Sequence, residues 1–230
     1  MKTALLIVLM FAQARAANPP LTGFPFTDET LSYNISWAGG IRLGEGHLHS
    51  KHSADGWSFD FSVDAGVPGY PVKDSYAAHA NEDFCSADFS KKFLHGARKG
   101  GEMEAIDRSH ETVSRITDNG GGKSDFPVSD CIRDGLTLLY YARRELGQGR
   151  VAPAQQVLFG GLYQSRLDYA GAQTIQMGEQ SVVTDKVVGS VKGPSSNLQF
   201  EIYFARDPAR TPLRFTVPLA IGSFSMELVR

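Results

Sequence analysis

Trp57-Ser58-Phe59-Asp60-Phe61-Ser62-Val63-Asp64 alternates a large apolar residue with a small or acidic one over eight positions. Successive side chains of a strand point to opposite faces, so this segment reads as a strand with one dry face and one wet face. On its N-terminal side, Leu31, Tyr33, Ile35 and Trp37 alternate with Ser32, Asn34 and Ser36 in the same way. Gly39-Gly40 marks a turn, and residues 41–50 pair back as a second strand. On its C-terminal side, residues 66–70 carry two Gly and a Pro and read as a loop. Short strands are expected around 74–80, 85–96 and 110–117, and Asn119-Gly120-Gly121-Gly122 is a turn. Alternation resumes in strands at 155–159, 162–169, 174–178, 179–192, 198–206, 212–219 and 222–229. In the last three, Phe200/Ile202/Phe204, Phe215/Val217/Leu219 and Phe224/Met226/Leu228 each line one face.

One helix interrupts the strands, at about 130–147. Ile132, Leu136, Leu139, Tyr140 and Arg143 recur at helical spacing with no proline between them. Ser129 or Asp130 is the expected N-cap, Arg143-Arg144 suits the C-terminal end of the dipole, and Gly147 and Gly149 stop the helix. About ten short strands and a single helix predict a mainly β fold: a strongly curved antiparallel sheet, half-barrel or barrel, packed around one central α-helix. No internal repeat or low-complexity segment is present.

The N-terminus predicts export. Lys2 precedes the apolar run 4–12, and Ala14-Arg15-Ala16 places cleavage between Ala16 and Ala17. That run is well short of the about 20 residues a permanent transmembrane helix needs, so no transmembrane anchor is expected. Residues 1–16 are then a signal peptide, 17–30 an extended lead-in, and 31–230 a single β domain, with the mature chain in the periplasm. Cleavage removes Lys2 and Arg15, taking Lys+Arg from 23 to 21 against 25 Asp+Glu, so the formal charge moves from −2 to −4. A mildly acidic chain without basic clusters argues against nucleic acid as a partner. Two cysteines, Cys85 and Cys131, predict one disulfide in an oxidising compartment, with Cys131 at the start of the helix.

Three segments resemble a known family. Leu31-x-Tyr33-x-Ile35-x-Trp37 followed by Gly40-Ile41-x-x-Gly44-Glu45-Gly46 resembles the opening strands of the bacterial domain-of-unknown-function family numbered 3108. Cys131-Ile132-Arg133-Asp134-Gly135-Leu136-Thr137-x-Leu139-Tyr140-Tyr141-Ala142-Arg143 is similar to its helix. Asp207-x-x-Arg210-Thr211-Pro212-Leu213-Arg214-Phe215 with Gly222-Ser223-Phe224-x-Met226-Glu227-Leu228 resembles its closing hairpin. The resemblance implies an exported protein with a curved half-barrel related to the periplasmic carriers of outer-membrane lipoproteins. It carries over no catalytic residue. Gly135 departs from the small Ala or Ser expected there, which weakens the helix unless it permits close packing.

Candidate chemistry is sparse. Glu45, His47 and His49 share one face of a strand and could ligate zinc or iron, though a solvated outer face explains them as well. Gly120-Gly121-Gly122-Lys123-Ser124 lacks the spacing of a phosphate loop and reads as a hairpin tip. Asp130, Arg133 and Asp134 complement a helix start, and Arg206 to Pro212 reads as a rigid loop. No catalytic site, metal site or cofactor is assigned. The aromatic faces pose the main question: Tyr33, Trp37, Phe59, Phe61, Phe200, Phe204 and Phe215 either fill a core or line an apolar cavity. Three functions follow in order. The first is a non-enzymatic binder of an apolar or lipid-like ligand, or of a lipidated partner. The second is an envelope assembly factor acting through protein contacts, and the third a metal-dependent hydrolase.

Overall fold

A computed structural model describes residues 28–229 apart from 119–120, 195 and 220–221. The expected signal peptide, its cleavage point at Ala16 and Ala17, and residues 17–27 of the lead-in lie outside the described residues. The strands are β1 (Asp28–Trp37), β2 (Ile41–Ser53), β3 (Gly56–Val67), β4 (Tyr70–Ala80), β5 (Ser86–His95), β6 (Arg98–Asp107), β7 (Thr112–Thr117), β8 (Gly122–Pro127) and β9 (Arg133–Asp134). Helix α1 (Gly135–Gly147) follows. The chain finishes with β10 (Gln155–Leu158), β11 (Leu162–Met177), β12 (Gln180–Lys192), β13 (Asn197–Ala205), β14 (Pro212–Leu219) and β15 (Gly222–Leu228).

All fifteen strands belong to one sheet in the order β8-β7-β6-β5-β4-β3-β2-β1-β15-β14-β13-β12-β11-β10-β9. Within β1–β8 and within β10–β15, consecutive strands meet through short connections and pair antiparallel, as hairpins require; β9 and β10, joined through α1, pair in parallel, and β8 does not pair with β9. The first strand joins the last, with Tyr33 opposite Leu228 and Ile35 opposite Met226, so two meander arms spread from a common centre. The sheet curls around α1 without closing, and β8 and the two-residue β9 are its edges.

The helix divides the interior. On one side Leu136 and Tyr140 pack with Tyr33, Leu48, Trp57, Phe59, Phe84 and Phe89. On the other, Ala142 and Leu146 pack with Leu167, Val187, Ile202 and Phe204. Arg143, wholly buried, is held by Glu29 at the start of β1 through two hydrogen bonds of 2.6 and 2.9 Å, and it donates a third to the Ala209 carbonyl at 3.1 Å. Tyr140 donates its hydroxyl to the same Glu29 carboxylate at 3.0 Å. The disulfide Cys85–Cys131 ties the segment before α1 to the start of β5. Next to it Arg108 donates to the Cys85 carbonyl.

Several boundaries differ from the sequence reading. The helix begins at Gly135, not near 130: its N-cap is Asp134, which accepts from Leu136 N and Thr137 N in a capping box. Cys131 therefore lies before the helix, where Ser86 N bonds the Ile132 carbonyl and draws this stretch onto β5. Gly135 occupies the first helical turn, and a Cβ there would meet only Phe159, at 3.8 Å, so close packing does not explain it. Residues 28–30, placed in the lead-in by sequence, open β1 because Asp28–Thr30 pairs with Lys51–His49. The two strands read at 162–169 and 174–178 are one, bent by a bulge between Tyr169 and Gly171.

Strand β6 escaped the pattern because its alternation is inverted. Glu104 points inward and is fully buried, while Met103 is exposed. Burial and, less strongly, the neighbouring Glu102 push the Glu104 carboxyl up to about 8, with Arg115 at 3.8 Å partly offsetting them.

Candidate functional site: an apolar cavity at one end of the half-barrel

In an antiparallel meander, alternate turns lie at the same end. The turns β1–β2, β3–β4, β12–β13 and β14–β15 share one end, and the start of α1 points to it. Beneath these turns the inward faces of the strands are not filled. They enclose a cavity of about 830 Å³ whose lining is almost wholly apolar. This volume lies within the ~300–1,000 Å³ typical of small-molecule sites.

The same alternation that packs the lower core lines this cavity higher up. On β3, Trp57 and Phe59 lie in the core around α1, whereas Phe61, Val63, Ala65 and Val67 face the void. On β13, Phe204 is in the core, and Ile202, Phe200 and Leu198 face the void. Strand β1 supplies Tyr33, Ile35 and Trp37, and β14 and β15 supply Phe215, Val217, Phe224 and Met226. The floor is the N-terminal half of α1, through Leu136, Leu138, Leu139 and Ala142. Edge-to-face ring pairs stiffen the walls: Trp37 on Phe224 at 4.3 Å and Tyr33 on Phe215 at 5.6 Å.

Two of the few polar side chains in the lining are already engaged. Tyr33 donates its hydroxyl to the Pro212 carbonyl at 2.9 Å, and burial pushes its phenol well above the usual range. Ser225 shares a hydrogen bond with Ser36 at 2.9 Å. The lining contains no carboxylate, histidine, lysine or arginine. Such a site attracts by burial of apolar surface and by dispersion, and both are non-directional.

Of the seven aromatic residues singled out by sequence, Tyr33, Trp37, Phe61, Phe200 and Phe215 line the cavity. Phe59 and Phe204 do not: both are buried in the packing around α1, because they sit lower on their strands. Cys85 and Cys131 are bonded to each other. The lining contributions of α1, and of Ile41 and Leu43 on β2, were missed. Alternation alone could not find them, since a bulge at Ile35/Ser36 changes which β2 residues face inward.

Glu45, His47 and His49 alternate with the buried Gly46, Leu48 and Ser50 and so point to the outer face, where each is exposed. His47 bonds Ser32 and His49 bonds Thr30, while Glu45 pairs with Arg42 at 2.5 Å. Among the described residues no three His, Cys, Asp or Glu side chains converge on a possible metal position. Asp134 is fully buried as the helix cap, bonded to Ser86 and Thr137, and Arg133 donates to Gln155 and the Asp83 carbonyl over the Tyr141 ring. Asp130 is exposed, away from that network. Arg206 and Arg210 both bond Asp185 on β12, at 2.8 and 2.6 Å.

Residues 32–229 match the family described as Protein of unknown function (DUF3108), which covers nearly all of the described chain. The chain belongs to the DUF3108 family. No curated protein matches it. A solved structure with a similar fold is the beta-barrel-like protein of domain of unknown function DUF1849 from Brucella abortus. Its TM-score is 0.65 at 9% identity, over 90% of this chain and 98% of that one. At that identity the likeness concerns the fold alone.

Proposed function

We propose that this DUF3108 protein is an exported, non-enzymatic carrier that holds an apolar or lipid-like molecule in the cavity under its hairpin turns. One observation carries the reading. The inward faces of six strands, β1–β3 and β13–β15, continue their apolar alternation past the packed core into an unfilled, charge-free space of about 830 Å³. A stretch that served only stability would gain by closing over that space, since unfilled apolar volume weakens a core. An acyl chain or similar apolar body restores those contacts without needing a polar partner. The signal-peptide pattern of residues 1–16 agrees with an envelope location for such a carrier.

Titration of the purified protein with a fluorescent fatty acid tests this. The carrier reading expects saturable one-to-one binding, competed by unlabelled fatty acid. Fluorescence that stays at the level of probe in buffer would remove it. A second reading, an assembly factor that pairs with a partner strand, has one observation in its favour. Strand β11 pairs with β10 only over Leu162–Ser165, and no strand among the described residues pairs with that edge from Arg166 onward.

A further inference from the structure

The four turns that border the cavity differ in composition from those at the opposite end. The chain carries no charged residue over 38–41, 65–72, 193–200 or 215–226, although 21% of all its residues are charged. At the other end every turn has charge: Asp55 between β2 and β3, Glu82 and Asp83 between β4 and β5, and Arg108 and Glu111 between β6 and β7. Arg206, Asp207 and Arg210 lie between β13 and β14, and Glu179 between β11 and β12. Charged turns are the ordinary way to keep hairpin ends soluble; at the cavity's own end the outlying β7–β8 turn does so with Asp118, so a charge-free set confined to the four turns around the mouth calls for a reason.

The mouth also presents bulky apolar side chains to the outside. Ile41 is 62% exposed, Val67 55%, Tyr70 51% and Leu198 37%, and all four belong to the cavity wall. They sit on three separate hairpins and so ring the opening. Behind the tips, β2 begins its charges with Arg42, itself paired with Glu45, and β12 ends with Lys192. The other two tips are backed by ion pairs, Lys73 with Asp64 at 2.8 Å and Arg214 with Glu227. Among the described residues the acids behind the tips, Glu45, Asp64, Glu201 and Glu227, are each paired with a cation. An apolar rim, an interfacial tyrosine and cations one step further back match the layering of a bilayer: hydrocarbon, interface, then anionic headgroups.

We propose that the hairpin end of the half-barrel docks mouth-first onto a lipid bilayer, with Ile41, Val67, Tyr70 and Leu198 entering the interface. The proposal rests on the carrier reading for its purpose. An apolar cargo leaving a membrane then reaches the cavity without crossing water, because rim and wall are one continuous apolar surface. A protein partner fits the rim less well, since the tips offer no charged group and few side-chain donors for directional recognition.

The test is flotation of the oxidised mature protein with vesicles of phosphatidylethanolamine and phosphatidylglycerol, and separately of phosphatidylcholine. The wild type is expected to rise with the vesicles, more strongly with the anionic mixture. The double variant Ile41→Asp/Val67→Asp is expected to lose at least about tenfold in bound fraction, as two interfacial side chains become charged. Val183→Asp, on the exposed outside of β12 near the charged end, is expected to float like the wild type. Thermal unfolding of both variants guards against misfolding, and Tyr70→Ser gives a milder second rim variant whose binding should fall in the same direction. Wild type that stays in solution with both vesicle types overturns the docking proposal. So does a rim variant that floats undiminished. A wild-type dimer that the rim variant dissociates, seen by sedimentation without vesicles, would assign the rim to a second copy and overturn it too. Fatty-acid binding by the wild type in vesicle-free solution is read independently, so loss of docking and loss of the carrier reading are told apart.

Discussion

Replacing Glu29 by Ala removes the carboxylate that compensates Arg143 in the middle of the structure. The Arg143 side chain is 0% exposed and that of Glu29 10%, so water cannot substitute for the lost partner. The substitution deletes the two hydrogen bonds from the guanidinium to this carboxylate and the one from Tyr140, while the Nε bond to Ala209 stays. Breaking a buried pair from one side costs about 3–5 kcal/mol, mostly the penalty of an uncompensated charge. For a domain of this size about 2–4 °C of midpoint shift accompanies each kcal/mol, so Glu29→Ala should lower the melting temperature by about 10 °C. The double variant Glu29→Ala/Arg143→Met removes both charges and should recover most of the loss, because an apolar side chain of similar length suits that site. Urea unfolding monitored by tryptophan fluorescence, run as a double-mutant cycle, reads the coupling directly. A loss below about 1 kcal/mol for the single variant, or additive effects in the double, would refute the buried clamp. It would also mean that the start of β1 is frayed in solution.

Further outcomes follow from the same geometry. Reducing the Cys85–Cys131 bridge frees a loop of 46 residues and should destabilise the fold by about 4 kcal/mol, seen as an earlier unfolding midpoint in reductant; an unchanged midpoint contradicts a structural role. Burial pushes Glu104 up to about 8, so the folded chain keeps a proton that the unfolded chain releases above its usual value near 4.5. Its contribution is complete below about 4.5 and is lost as pH rises toward 8, at up to about 1.4 kcal/mol per pH unit. Glu104→Gln should flatten that slope and exceed the wild type in stability at pH 8, and parallel stability curves for the two would sink the assignment. Ala65→Trp with Val217→Trp, on two walls of the cavity, should cut fatty-acid affinity at least about tenfold while the protein still unfolds cooperatively. Undiminished affinity would place the binding site elsewhere.

Much of the fold was legible because alternation survives burial. Leu31 to Trp37, Trp57 to Asp64 and the last three strands carry large apolar residues on one face, and the sheet uses that face as its interior. The pattern failed where the interior is polar. In β6 the inward Glu104 and outward Met103 reverse the expected phase, so hydropathy alone marks no strand there. Glu29 was unreadable for a related reason: an acid at the edge of an extended lead-in looks solvated until Arg143, far along the chain, is known to reach it. The helix start was misplaced because Asp130 and Asp134 are equally good caps locally, and the disulfide to β5 and the bonds of Asp134 to Ser86 decide between them.

The site was half legible. Five of the seven aromatic residues chosen from sequence line the cavity, but periodicity has no measure of height along a strand. It could not separate Phe59 and Phe204, level with the helix, from Phe61 and Phe200 above it. Whether an inward face is covered depends on where α1 ends its reach. That is a property of the assembled sheet rather than of any segment.

The most direct measurement is organic extraction and mass spectrometry of the mature protein purified under native conditions from the periplasm of an expressing bacterium. The account predicts an apolar or acyl compound at close to one per chain, lost or strongly reduced in Ala65→Trp/Val217→Trp. Wild-type protein that repeatedly comes back empty, and that also takes up no fatty acid added in solution, would contradict it.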